Sequence, residues 1–277
     1  MLVFLINTFN ESYYYEKAND LLSNIRAILN TSSVHASYVI VKGGCNENNS
    51  IQLANITYID IIENLSDNNV FVGFQRNINE LFNNESYKRA TYILLHDTCL
   101  ISNQFHSCMR ELTNIKFSQK SQWIFAHTYG LYNIGICSFD FICDRASDFK
   151  DITILPKNIG ILNEQGHMIE INNKQIPSLH HYSKFTLANM VKHTSLGNGV
   201  INVDTYGING ISENNRSPRW VAYISSLGVH KLIGSKMSYF APIWAAPSHH
   251  PKDEDDLTKM KEVFGGCFIP LLPYKFD

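Results

Sequence analysis

No stretch of this sequence approaches the ~20 consecutive apolar residues that a bilayer-spanning helix needs, so a soluble protein is expected. The opening Met1-Leu2-Val3-Phe4-Leu5-Ile6 is too short for a signal-peptide core, lacks a basic leader, and runs straight into polar Asn7-Thr8-Phe9-Asn10-Glu11. It reads as a first strand, and a cytoplasmic location is expected. Charge of one sign is lacking too: 23 Lys+Arg face 25 Asp+Glu, a net −2. That balance gives no drive toward nucleic acid or acidic membranes. The six cysteines, at 45, 99, 108, 137, 143 and 267, contain no Cys-x-x-Cys pair. A zinc knuckle or redox motif is therefore not indicated, and in a chain with its own core these cysteines are expected to be reduced. No internal repeat or low-complexity linker interrupts the chain.

What is present is apolar and amide-rich. Hydrophobic residues make up 44% of the 277 and charged residues 17%, which excludes extended disorder. Asn recurs in pairs, as at Asn48-Asn49, Asn68-Asn69 and Asn214-Asn215, a composition read as coding bias; triplets such as Asn55-Ile56-Thr57 follow from it by chance. Residues 1–277 are expected to form a single α/β domain, with 1–126 as one half and a more irregular α+β half over 127–277.

The first half alternates strand-like runs with helical periodicity. Leu2 to Ile6 has the continuous apolar character of a strand buried on both faces. Ala18, Leu21, Leu22, Ile25, Ile28 and Leu29 then mark one face of a helix. Strands are predicted at Tyr38–Val41, stopped by Gly43-Gly44, and at Ile56–Ile62, Tyr92–Leu95 and Trp123–Ala126. Helices are predicted around Phe74–Phe82 and Phe105–Leu112. Strands separated by helices imply right-handed crossovers and a mainly parallel central sheet flanked by helices. Past residue 127 the pattern predicts a loop through Tyr129–Gly135, a helix over Phe139–Phe149, and short strands at Ile152–Leu155 and Met168–Ile171. It also predicts helices over Tyr182–His193, from Ser217-Pro218 to Gly228, and from Asp253 through Phe264, with a mobile loop over Gly197–Asn215.

In an open parallel sheet, ligands bind beyond the carboxyl ends of the strands. The residues there are Asn7, Thr8, Asn10 and Glu11 after the first strand, Glu63 and Asn64 after the third, and His96, Asp97, Thr98 and Cys99 after the fourth. No Gly-x-Gly-x-x-Gly or Walker-type loop follows the first strand, which argues against a dinucleotide dehydrogenase or a P-loop enzyme. A nucleotide here would be held by side chains and a metal.

The segment Asn69-x-x-x-Gly73-x-x-Arg76-Asn77-Ile78, followed by Tyr92-Ile93-Leu94-Leu95-His96-Asp97-Thr98-Cys99, resembles the donor half of GT-A glycosyltransferases. In that family an Asn/Gly-x-x-x-Ala-Arg-Asn segment precedes a hydrophobic strand ending in Asp-x-Asp. The resemblance spans roughly residues 1 to 145. It implies a Rossmann-like GT-A fold and transfer of a sugar from a nucleotide sugar to a hydroxyl of a glycan or other acceptor. It further implies Mn²⁺ or Mg²⁺ at Asp97, diphosphate or loop contacts from Arg76, sugar or loop contacts from Asn77, and a base and ribose cradle from Thr8, Asn10 and Glu11. A cation held by carboxylate oxygen offsets diphosphate charge as the glycosidic bond breaks.

Cys99 departs from the family pattern, standing where the second Asp would be, and a thiolate suits softer metals. Three alternatives stay open: Asp97 binds the cation with help from elsewhere, the enzyme is metal-independent, or catalysis has been lost. The family's late metal-binding histidine points to His249 and His250, with a surface pair as the alternative; His180-His181 is a lesser candidate. His96 is read as a core or supporting group beside the donor. Gly135 is placed by the resemblance where backbone approaches the transferred sugar, its alternative being a turn into a helix. Asp140, Glu164 and Asp204 are candidates for the base that deprotonates the acceptor, with Asp140 alternatively a first-turn helix acid. The rivals are a noncatalytic carbohydrate-binding or structural protein, favoured by Cys99, and a sugar nucleotidyltransferase, whose basic glycine loop is missing after the first strand.

Overall fold

The computed structural model describes residues 1–97, 99–101, 105–113, 117, 123–125, 134–164, 167–182, 220–224 and 229–233. The chain starts β1 (Leu2–Phe9), α1 (Ser12–Leu29), β2 (Ala36–Gly43), β3 (Asn49–Leu53) and β4 (Ile56–Asp60). A 3-10 turn (Ser66–Asn68) leads into α2 (Asn69–Arg76), α3 (Ile78–Leu81) and α4 (Glu85–Lys88). Then come β5 (Thr91–His96), β6 (Cys99–Ile101), α5 (Phe105–Leu112), β7 (Trp123–Phe125), β8 (Gly135–Cys137), α6 (Phe139–Asp148) and α7 (Lys157–Glu164). The described chain ends with β9 (Ile169–Ile171), β10 (Lys174–Ile176), a second 3-10 turn (Leu179–Tyr182), β11 (Trp220–Ile224) and β12 (Val229–Ile233).

Seven strands form one sheet in the order β3-β4-β2-β1-β5-β8-β7. The expected parallel arrangement holds for its centre, where β4, β2, β1 and β5 run together. It does not hold at the margins, because β3 returns against β4 in a hairpin and β8 runs against both β5 and β7. The sheet is therefore mixed. β3 was hidden by its composition: Asn-Ser-Ile-Gln-Leu is an exposed edge without a buried apolar face.

Alternation along the central strands divides two apolar layers. Phe4, Ile6, Ile40, Ile93 and Leu95 pack with Leu21, Leu22 and Ile25 of α1 and with Phe105, Met109 and Leu112 of α5. Val3, Leu5, Val39, Val41, Tyr92 and Leu94 pack on the opposite side with α2 and with Phe141 and Ile142 of α6. β8 lies inside the main sheet and α6 packs into its core.

The approach of α2 to the sheet depends on Gly73. A Cβ at this position would meet Val41 Cγ1 at 2.6 Å and the Ile59 and Ile61 methyls at 3.3 Å. Gly73→Ala therefore pushes α2 away from β2 and β4, at an expected cost of about 1–3 kcal/mol. Thermal unfolding of the variant checks this, and an unchanged midpoint contradicts such close packing.

Two further expectations need correction. Ile152–Leu155 forms a single bridge, Ile154 with Asn64, rather than a strand. The helix expected from Ser217-Pro218 to Gly228 is replaced by an antiparallel hairpin, β11 with β12, whose second strand pairs with β6. Capping signals suggested the helix, but Trp-Val-Ala-Tyr-Ile is rich in β-branched and aromatic residues suited to a pleated surface. Among the described residues no helix is long and apolar enough to cross a membrane. Residues 183–193, 197–215 and 253–264 lie outside the described residues.

Candidate functional site

The connection from β1 leads through α1 to β2 and onward to β4, whereas the chain after β4 returns to place β5 on the other side of β1. The topological switch point thus lies between the carboxyl ends of β1 and β5, where open sheets form their ligand crevice. Asn7 pairs with His96 there, and the Asp97 N–H donates to the Asn7 carbonyl at 3.0 Å.

Polar side chains are concentrated at this junction. Asn7, Thr8, His96 and Asp97 are all buried. On the α2 side, the Asp67 carboxylate accepts from His96 Nδ1 at 2.7 Å and from Asn7 Nδ2 at 3.3 Å. One carboxylate, supplied by the turn before α2, thereby ties together the ends of β1 and β5. It also fixes the histidine tautomer that donates from Nδ1. Thr8 Oγ1 and Asn7 Oδ1 are buried and have no hydrogen-bond partner among the described residues. An unsatisfied buried oxygen costs about 1–3 kcal/mol, so each calls for a bound group, a water or strain to account for it.

Asp97 is 4% exposed, so its carboxylate lies beneath the surface in this conformation. Cys99 opens β6 within the apolar layer formed with α1 and α5, and its Sγ accepts from the His96 N–H at 3.4 Å. The thiol thus faces the core, and the expectation of Cys99 as a metal ligand is corrected. β12 pairs its backbone with Cys99, Leu100 and Ile101, which brings the β11–β12 hairpin beside the segment that follows Asp97.

The remaining candidates are dispersed. Asn10 is exposed and donates from Nδ2 to the Gly44 carbonyl at 3.2 Å, and Glu11 is exposed at the start of α1. Arg76 makes a bidentate pair with Glu63 and a 3.3 Å bond to Asn48 Oδ1. Those partners belong to the β4 margin, three strand spacings or roughly 14 Å from β5, so Arg76 does not hold the Asp97 loop. Asn77 donates from Nδ2 to the Gly73 carbonyl at 2.8 Å and stands with Arg76 at that margin. Gly135 is the first residue of β8, paired with Leu94 and Phe125, and so lies within the sheet rather than in a loop.

Asp140 is in the first turn of α6, which Ser138 caps by accepting from the Phe141 N–H at 3.3 Å. β8 runs against β5, so this turn follows the Cys137–Tyr92 pair, four residues or ~13 Å below His96. The helix-acid alternative fits this position; a base acting at the switch point does not. Glu164 is the last residue of α7, while Asp204, His249 and His250 lie outside the described residues.

Sequence reasoning missed Asp67 and, behind it, Arg145. The Arg145 guanidinium is fully buried and donates to Asn68 Oδ1 at 2.9 and 3.2 Å, Asn163 Oδ1 at 2.9 Å, Asp148 Oδ2 at 3.0 Å and the Pro177 carbonyl at 2.7 Å. It also lies 4.7 Å from the Phe149 ring centre, and the Tyr182 hydroxyl donates to Asp148. This cluster joins α6, α7 and the β9–β10 segment to Asn68, next to Asp67. Burial lowers the Arg145 pKa, opposed by the Asp148 and Tyr182 oxygens. Asn68-Asn69 gave no hint of this role because it looked like one more asparagine pair.

At the sheet margin, burial raises the Glu63 carboxyl while hydrogen bonds and charge from Arg76 outweigh it, holding the pKa below the ordinary 4.5. A depressed folded pKa contributes stability that is present above the unfolded value and is lost as the pH falls through the folded one. Wild type is therefore expected to exceed Glu63→Gln in stability at neutral pH by up to about 1 kcal/mol. The gap closes as acid is added below pH 4.5. Denaturant titrations of both proteins across that range check the sign; a gap that widens in acid contradicts it.

At the switch point the described carboxylates are Asp97 and Asp67, the latter engaged with His96 and Asn7, and among the described residues no group of three His, Cys, Asp or Glu side chains converges to hold a metal. One carboxylate suffices for a cation whose other positions are filled by diphosphate oxygens and water. No family model matches the chain, and no curated protein matches it.

Proposed function

We propose that this protein is a glycosyltransferase with a GT-A-like arrangement, moving a sugar from a nucleotide sugar to a hydroxyl of a glycan or other acceptor. The observation that carries the reading is the meeting of Asn7, His96 and Asp97 at the β1–β5 switch point. In this reading Asp97 supplies the carboxylate beside the diphosphate, and Asp67 holds His96 and Asn7 so that the two strand ends keep a fixed separation. A bound Mn²⁺ or Mg²⁺ would neutralise charge developing on the departing diphosphate. Thr8 and Asn7 bring buried oxygens able to accept from ligand hydroxyl or amino groups.

The noncatalytic reading has two observations of its own: Asp97 is covered, and Cys99 turns its sulfur to the core. A panel of nucleotide sugars, assayed for release of nucleoside diphosphate with simple glycosides as acceptors, separates the two. Release from at least one donor supports transfer; a panel without turnover supports the noncatalytic protein.

A further inference from the structure

A separate depression of ≈ 310 Å³ opens at the β3–β4 margin, lined in part by Asn48, Asn49, Ser50, Asp60, Arg76 and Asn77. Its volume is at the lower end of ligand pockets, roughly 300–1,000 Å³. The charges in its wall are internally matched. Arg76 is paired with Glu63, and Asp60 with Lys42 at 3.2 Å. Neither a phosphate nor a bare cation finds an uncompensated charge there.

The amides are held with opposite ends available. Asn48 Oδ1 accepts from the Ile62 N–H at 3.0 Å and from Arg76, which leaves its Nδ2 as a donor. Asn77 spends its Nδ2 on the Gly73 carbonyl, which leaves its Oδ1 as an acceptor. The lining residues Asn48 and Asn77 thus offer a donor and an acceptor, which match groups that donate and accept at once. Vicinal hydroxyls have that property.

We infer that this depression is a binding site for a neutral sugar ring. The site is about three strand spacings from the switch point and does not depend on the transferase reading. Among the described residues no aromatic platform lines it, so weak binding, made by hydrogen bonds in competition with water, is expected.

The test is side-chain amide NMR of the ¹⁵N-labelled full chain, titrated separately with methyl glucoside, methyl galactoside, methyl N-acetylglucosaminide and inorganic phosphate. At least one glycoside is expected to move the Asn48, Asn49 and Asn77 amide signals, and phosphate is not. Asn77→Ala and, independently, the surface variant Asn49→Ala are each expected to weaken that response several-fold, up to about tenfold. The inference is overturned if no glycoside moves these signals. It is overturned equally if phosphate alone moves them, or if both variants, folded by their backbone spectra, respond like wild type.

Discussion

Arg145→Met unfolds at a markedly lower urea concentration than wild type, with stability reduced by about 3–5 kcal/mol. The methionine fills much of the volume but leaves Asn68 Oδ1, Asn163 Oδ1, Asp148 and the Pro177 carbonyl without their shared donor in a buried place. An unpaired buried acceptor or charge keeps its desolvation cost after its partner is gone. Arg145→Lys retains charge but not the fork that reaches four acceptors, so it recovers only a minor part of the loss. An equilibrium urea titration with fluorescence and far-UV dichroism measures both variants. A loss below about 1 kcal/mol for Arg145→Met, the level of an exposed pair, contradicts the view that this residue holds α6, α7 and β9–β10 against the turn before α2.

Asp97→Asn has the largest expected effect on function. The substitution preserves shape and the backbone bond to Asn7, so the melting temperature stays near that of wild type. Asp67 is already engaged with His96 and Asn7, so in the proposed reading removing the Asp97 carboxylate takes away the charge that a diphosphate-bound cation would need. With several kcal/mol of charge stabilisation at stake and 1.36 kcal/mol per decade, turnover should fall roughly a thousandfold. Near-wild-type turnover from a folded Asp97→Asn protein contradicts the assignment.

The central layers were legible because their physics is local. A continuous apolar run at Leu2–Ile6 and the 3.6-residue spacing of Ala18 to Leu29 each specify an element without reference to distant chain. The same is true of His96 and Asp97, whose position follows from where a buried strand ends. Whatever depends on pairing was not legible. The Asn-Ser-Ile-Gln-Leu edge and the three-residue β8 carry too little pattern to declare themselves, and the direction of β8 decides that Asp140 is at the wrong end of the sheet. Arg76 looked like a phosphate ligand in a motif, but its partner was set by the folding of Glu63 alongside it, a separation of 13 positions spanned by one turn and α2. Arg145 draws its acceptors from four separate segments, and no window of sequence contains them together.

The β11–β12 hairpin illustrates competition between local signals. Ser217-Pro218 and Gly228 bracket the segment with helix punctuation, yet the residues between them favour a strand, and β6 offers an edge to pair with. That pairing places part of the second half beside the segment that follows Asp97.

Calorimetric titration of nucleoside diphosphate into the full chain, with and without Mn²⁺, tests the switch-point site most directly. Saturable binding that strengthens with the metal in wild type and disappears in Asp97→Asn is the predicted result. Absence of binding under both conditions, or binding unchanged by Asp97→Asn, contradicts it.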